Sequence, residues 1–177
     1  DRRLRPVAWL REKLLADGFD AVFLGPGLWD GHTVLEGKDA KGVWSSVEFL
    51  SAIRDGRLEK LADTFAGKKV AVVGGGSVAM DCVEGAVRLD TDEVNLLYRR
   101  SYTQMPAEEE ERIAALQSGV NFFILNQPVD YVTDSSGQVT AVKNVRTRLG
   151  DADESGRRRP VDIAGSEWEM AADIVIE

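Results

Sequence analysis

Among its 177 residues the chain has one cysteine, Cys82, and one histidine, His32. A single thiol excludes an intrachain disulfide framework and fits a reducing compartment. A lone histidine without companion ligands argues against a zinc site or a histidine-centred active site. Long apolar runs are missing too. The run Ala21–Leu24 is far too short to span a bilayer and no signal peptide is evident, so the cytoplasm is the expected location and no membrane partner is expected. Positive charge is in the minority, 22 Lys and Arg against 30 Asp and Glu, for a net charge of -8. That balance argues against nucleic acid as a partner. What remains, 44% hydrophobic and 29% charged residues, is the composition of a globular chain. Its length suits one compact domain with a subdomain.

The best organised stretch begins at Gly67. Lys69–Val73 is an apolar, β-branched run and reads as a strand, and Gly74–Gly76 follows as a turn. Val78–Leu89 has a helical pattern, Val94–Tyr98 reads as a second strand, and Ala107–Gln117 as an acidic helix with Pro106 near its start. Gly119 stops that helix, and Val120–Leu125 reads as a third strand. The order βαβαβ is the half-unit of a doubly wound parallel sheet. The expected fold class is therefore α/β, a Rossmann-like parallel sheet with helices on both faces. Residues 128–172 change character: Tyr131–Thr133 and Val139–Arg148 flank the turn Ser135-Ser136-Gly137, and another strand is expected near Trp168–Met170. They predict an inserted antiparallel β-meander, with Leu149–Pro160 as an exposed polar loop and Ala172–Ile176 as a final apolar strand. Before residue 67, a helix is expected over Leu4–Ala16, a short strand over Ala21–Leu24 running into Gly25-Pro26-Gly27, an irregular stretch over 28–42, and a helix capped by Ser45 or Ser46 and running to about Arg54.

The turn Gly74-Gly75-Gly76-Ser77-Val78-Ala79 fits G-x-G-x-x-A between a strand and a helix. In such a motif the first glycine permits the tight turn, the second lets backbone approach a pyrophosphate, and the small third residue lets helix pack on sheet. The helix N-terminus then offers free amides and a favourable dipole to the phosphates, and Ser77 adds a hydroxyl. The second strand ends in Tyr98-Arg99-Arg100, about 20 residues past the turn, where an NAD or FAD site places an acid on the ribose. Two guanidiniums there select the 2′-phosphate of NADP(H) instead. The plain alternatives are an ordinary glycine-rich turn and a solvated basic strand tip. Cys82 lies inside the first helix and reads as a small core residue, since it has no CxxC partner. His32 sits on a loop, and the run Arg157-Arg158-Arg159 reads as solvent-facing. No residue stands out as a catalytic acid or nucleophile, and no metal site is expected.

At these motifs the chain resembles the pyridine-nucleotide domain of the glutamate synthase small-subunit (beta chain) family, a module shared with the flavin half of dihydropyrimidine dehydrogenase. The resemblance is carried by Val73–Cys82, by Tyr98-Arg99-Arg100 with Met105–Glu109, by Gly156–Pro160 leading to Gly165-Ser166-Glu167, and by Ala172–Ile176. Upstream, Phe19–Gly27 resembles the strand and glycine turn that close the first FAD segment, and the stretch from Gly42-Val43 through Phe49-Leu50 also matches. The resemblance implies that NADPH passes hydride to FAD in a parent flavoprotein and that electrons continue through iron–sulfur clusters to another domain or subunit. It implies that Gly75, Gly76, Ser77 and Val78 hold the pyrophosphate and that Arg99 and Arg100 hold the 2′-phosphate. It divides the chain into a flanking segment over 1–66, the end of the first FAD-domain part with a linker helix, and an NADPH-binding domain over 67–177. Family members often carry a further arginine after the pair; Ser101–Gln104 offers none, so a modest grip on the 2′-phosphate is expected. Asp90 stands where glycine commonly ends the helix. With no second glycine fingerprint and no cluster of cysteines, the chain is expected to be a fragment that is inactive alone, and the strand over Ala21–Leu24 to be an orphan that pairs at an edge, with another copy, or not at all. The alternative is a non-catalytic NADP(H)-binding or interaction module.

Overall fold

A computed structural model describes residues 7–23, 25, 35, 40–56, 58–154 and 156–177. In chain order the elements are α1 (Val7–Ala16), β1 (Val43–Trp44), α2 (Ser46–Arg54), α3 (Leu58–Phe65), β2 (Lys69–Val73), α4 (Ser77–Val87), β3 (Glu93–Tyr98), α5 (Glu109–Gln117), β4 (Asn121–Ile124), β5 (Asn126–Thr133), β6 (Val139–Ala152), β7 (Arg158–Asp162), β8 (Trp168–Ala171) and β9 (Ile174–Ile176). Five strands form one sheet in the order β1-β9-β2-β3-β4, and every pair in it is parallel. An antiparallel sheet runs β5-β6-β7, with β8 paired to β6.

Strand period two explains how the two sheets meet. Val70, Val72, Leu96, Ile174 and Ile176 project to one face, where they pack with Phe49, Phe65, Met80, Cys82 and Val83 of the helices. Ala71, Leu97 and Val175 project to the other face, where Tyr131, Val139, Val142 and Met170 of the antiparallel sheet cover them. A parallel strand covered on both faces is apolar at consecutive positions, and β2 is nearly so. Asn95 is the polar exception on β3. It is 2% exposed, and Asn121 Nδ2, its neighbour in register on β4, donates to its side-chain oxygen at 3.0 Å.

Local signals set the helix ends. Ser45 Oγ accepts from Glu48 N at 3.1 Å and starts α2. Glu108 and Glu111 form a capping box at the head of α5, whose first turn carries Glu109, Glu110 and Glu111 on the favourable side of the dipole. After α4, Asp90 takes φ +56, the left-handed conformation that a glycine would adopt more easily, and its carbonyl accepts from Gly67 N at 2.9 Å.

Three expectations need correction. Ala21, Val22 and Phe23 form no strand and join no sheet, the unpaired outcome among those expected, and Phe23 is 95% exposed; Leu24, Pro26, Gly27 and His32 lie outside the described residues. A four-residue apolar run becomes a strand only where a sheet edge receives it, and among the described residues none does. The expected loop 149–160 is mostly strand. β6 continues to Ala152 and returns as β7 through the register pairs Thr147–Asp162, Arg148–Val161 and Leu149–Pro160. Backbone ladders tolerate such polar side chains because an antiparallel arm can face water. Finally, β1 and α3 were not anticipated. Leu58, Leu61, Ala62 and Phe65 have the i, i+3, i+4, i+7 spacing that signals α3, whereas two-residue β1 leaves no sequence signal.

Candidate functional site

The loop after β2 lies at the carboxyl end of the parallel sheet, with β3 on one side and β9 on the other, where open α/β sheets bind ligands. Each glycine of the turn has its own physical reason. Gly74 has φ +147, which L side chains rarely adopt, and a Cβ there would stand 3.0 Å from that of Ala79. A Cβ on Gly75 would stand 2.5 Å from ring carbons of Tyr98. Gly76 differs: its φ is -99 and a Cβ would meet nothing within 4 Å, so backbone faces open space. Gly76 is also the N-cap of α4 and supplies no side-chain cap, leaving the helix start for an external acceptor. The turn is braced by Gly74 N donating to Leu97 O and by Ala107 N donating to Gly75 O, both at 3.0 Å. That second bond sets the segment Met105–Ala107 against the glycines.

Two hollows flank the turn. One, of about 270 Å³, is lined by Gly74–Ala79 together with Ser46, Ile176 and Glu177. The other, of about 320 Å³, is lined by Val73, Gly74, Tyr98, Arg99, Arg100 and Arg157, among others. The predicted residues Gly74, Gly75, Gly76, Ser77, Val78 and Ala79 thus share the first hollow, and Arg99 and Arg100 share the second.

Their states are unequal. Val78 is exposed and Ala79 is buried. Ser77 Oγ donates to Glu111 Oε2 at 2.9 Å, a carboxylate already accepting from Glu108 N. Arg99 is exposed and its carbonyl accepts from Thr147 Oγ1 at 2.8 Å. Arg100 is buried, with Nε donating to Arg158 O at 2.9 Å and its carbonyl accepting from Leu125 N at 3.0 Å. Leu125, at φ +56, turns the chain from β4 into β5 and returns its own carbonyl to Thr147 N at 2.8 Å. The antiparallel sheet therefore holds the arginine end in place. Arg157 was not anticipated at this site, and its neighbours in sequence gave no sign of it.

Cys82 is fully buried, and burial, with the Asp81 carboxylate adding to it, pushes its thiol up to about 12. It is a core residue and is not a thiolate at neutral pH. Among the described residues no helix is long and apolar enough to cross a membrane.

No family model matches the chain. Individual proteins do. The NADPH-Fe(3+) oxidoreductase subunit beta of Geobacter sulfurreducens is 43% identical over 166 residues, covering 92% of this chain and 24% of that protein. The glutamate synthase [NADPH] small chain of Escherichia coli is 40% identical over 173 residues, covering 93% and 36%. The putative oxidoreductase AegA of Escherichia coli is 40% identical over 169 residues, covering 92% and 26%. The chain spans about a quarter to a third of the length of these curated relatives. Among solved structures, Mycobacterium tuberculosis FprA in complex with NADPH superposes with a TM-score of 0.70 at 18% identity, covering 93% of this chain and 50% of FprA. Thioredoxin reductase of T. acidophilum gives a TM-score of 0.56 at 16% identity, covering 82% of this chain and 39% of that one. The chain is accordingly a homologue of one segment of the glutamate synthase small chain and of related NADPH oxidoreductase subunits, with the Rossmann-like fold that its motifs predicted.

Proposed function

We propose that the chain is the NADPH-binding part of an FAD-dependent oxidoreductase in which NADPH gives hydride to the flavin, as the resemblance to the glutamate synthase small subunit implies. One observation carries this reading. The glycine turn of β2 and the arginine pair of β3 stand side by side at the carboxyl edge of the sheet, with an open hollow on each side. Gly74 makes the turn and Ala79 lets α4 pack on the sheet, while Gly75, Gly76, Ser77 and Val78 cradle the pyrophosphate. Arg99 and Arg100 receive the 2′-phosphate. The bound cofactors supply the redox chemistry, and the residues here supply position and charge.

The division of the chain near residue 67 belongs to the same proposal, with the earlier segment lending β1 and α2 to the nucleotide-binding unit. So do a cytoplasmic location and electron delivery to an iron–sulfur or catalytic partner in the parent protein. The names of the relatives, an NADPH-dependent glutamate synthase chain and an NADPH-Fe(3+) oxidoreductase subunit, support the choice of nucleotide.

Calorimetric titration with NADPH and NADH tests the reading. NADPH is expected to bind tighter by about 1–3 kcal/mol, the range of charge-assisted hydrogen bonds. Joint Arg99→Ala and Arg100→Ala substitution is expected to remove most of that difference. Equal affinities in the unaltered chain would sink the proposal. The chain alone should not oxidise NADPH with dye acceptors, because hydride transfer needs nicotinamide and flavin held at near-attack distance; steady turnover by the isolated chain would overturn the assignment of this segment as a nucleotide domain only.

A further inference from the structure

The arm formed by the end of β6 and by β7 folds back over the end of β3. Within it, three consecutive arginines have three different surroundings. Arg158 is engaged by its own arm: its Nε donates to Gly150 O at 2.8 Å and its Nη2 to Leu149 O at 3.4 Å. Arg159 lines a separate hollow with Asp151, Asp153 and Glu154. Arg157 lines the same hollow as Arg99 and Arg100. The arm is tied to that place from both sides. Arg100 Nε donates to Arg158 O, and the tip is closed by Asp153 N donating to Arg157 O and by Arg157 N donating to Asp153 Oδ1, each at 3.0 Å.

The charge of this hollow is opposite to that of the chain. A protein of net charge -8 lines one recess with three guanidiniums and no carboxylate. Among the described residues none of the three forms a salt bridge. Like charges gathered in one recess repel, and an anion of high charge density relieves the repulsion. Guanidinium forks match a phosphate monoester better than a ribose hydroxyl.

We propose that Arg157 is a third specificity-determining cation of the 2′-phosphate site, and that the β6–β7 arm is the outer wall of that site. The inference rests on the NADPH reading and extends it: the arginine absent after Arg100 is replaced, from about 57 positions further along the chain, by one that the antiparallel insertion delivers. It also reverses the expectation of a modest grip on the 2′-phosphate.

The test uses the whole chain and two nucleotide fragments that differ only in the 2′ group, 2′,5′-ADP and 5′-AMP, titrated at fixed salt. Arg157→Ala is expected to weaken 2′,5′-ADP by about five- to tenfold, just below the range for hydrogen bonds to charged groups because the side chain is exposed. Binding of 5′-AMP should be unchanged. Arg159→Ala removes the same charge from the same arm but from the other hollow, and should change neither ligand by more than about twofold. Retained 2′,5′-ADP affinity in Arg157→Ala, with affinity lost in Arg99→Ala, would overturn the role of Arg157 and leave the NADPH reading standing. Equal losses in Arg157→Ala and Arg159→Ala would reduce the effect to the general field of the arm and also overturn it. No preference for 2′,5′-ADP in the unaltered chain would overturn both the inference and the reading beneath it.

Discussion

The two ends of the nucleotide site are built by different means. At the glycine end, six consecutive residues from Gly74 to Ala79 contain the turn, the open backbone and the head of the helix, and residues from elsewhere, such as the Tyr98 ring, the Leu97 carbonyl, the Ala107 amide and the Glu111 carboxylate, only brace it. At the arginine end, Arg99 and Arg100 are held by Thr147, Leu125 and Arg158, all from the chain that follows β4. A site assembled locally fails by changes within its own motif. A site assembled by tertiary contact fails by changes far away in sequence.

The largest effect should come from Gly76→Val. The conformation at φ -99 is open to any residue and the space is empty, so the fold should persist. The branched side chain would occupy the place given to the pyrophosphate. Nucleotide affinity should fall by about 100-fold, the scale of losing one strong charge-assisted hydrogen bond, with the fold retained. Undiminished binding in the folded variant would show that the phosphates lie elsewhere.

Gly75→Ala should do the reverse. Its added methyl meets the Tyr98 ring, whose hydroxyl donates to Gln104 O at 2.7 Å and so resists displacement. Overpacking of this kind costs about 1–3 kcal/mol, readable as a lower midpoint in urea. If stability is unaffected, Gly75 is not there for packing, and the local end is simpler than described.

Thr147→Val probes the tertiary end. It removes the hydroxyl that donates to Arg99 O while keeping the shape of the side chain. Stability should drop by about 1 kcal/mol, the usual net value of one hydrogen bond. The preference for NADPH over NADH should shrink by about threefold, on the order of half that energy. Binding of 5′-AMP should be spared. A loss shared equally by both dinucleotides would mean that the antiparallel sheet supports the whole site and that the two ends are not separable.

Ser77→Ala should have the smallest effect on binding. Its hydroxyl is already given to Glu111, and a carboxylate beside it disfavours phosphate. A change within about twofold is expected, less than a typical hydrogen bond is worth. A tenfold loss would show that Ser77 leaves Glu111 for the nucleotide. Further from the site, the Ser136 hydroxyl, then the amides of Gln138 and Ser136, hold the Asp134 carboxyl below its ordinary value, with Lys41 adding to the effect. A depressed carboxyl lends stability above its unfolded pKa and loses it as pH falls through the folded one. The β5–β6 turn should therefore loosen only in acid, and Asp134→Asn should flatten that acid limb in a thermal-melt series.

Much of this was legible beforehand, for reasons that differ by element. Strands β2, β3 and β9 are buried on both faces and so announce themselves as apolar runs bounded by glycine or charge, and edge strand β4 keeps the same apolar signal while only half-buried. Cys82 could be placed in the core from its helical position alone. By contrast, the run Ala21–Leu24 looks like a strand and its described residues pair with nothing, because pairing depends on a neighbour that the run does not encode. The stretch 149–160 looks like a loop and is largely an arm, because ladder hydrogen bonds belong to the backbone and leave no mark in side-chain hydropathy.

The sequence by itself determined the local chemistry: a strand, a glycine turn and a helix start in an order that admits a dinucleotide phosphate, and two arginines where a ribose would be read. Those features act over a few residues and are governed by φ, by side-chain size and by unpaired helix amides. Only the tertiary structure decided which of the seven guanidiniums that frame the site and its arm, Arg99, Arg100, Arg146, Arg148 and Arg157–Arg159, reach the hollow. Arg146, Arg148, Arg157, Arg158 and Arg159 are alike in sequence as basic residues on a polar stretch. Folding gives Arg158 to backbone carbonyls, Arg159 to an acidic recess and Arg157 to the side of Arg99. The physical reason is that charge acts through distance in space, and that distance was fixed by the register of β6 on β7 and by one hydrogen bond from Arg100.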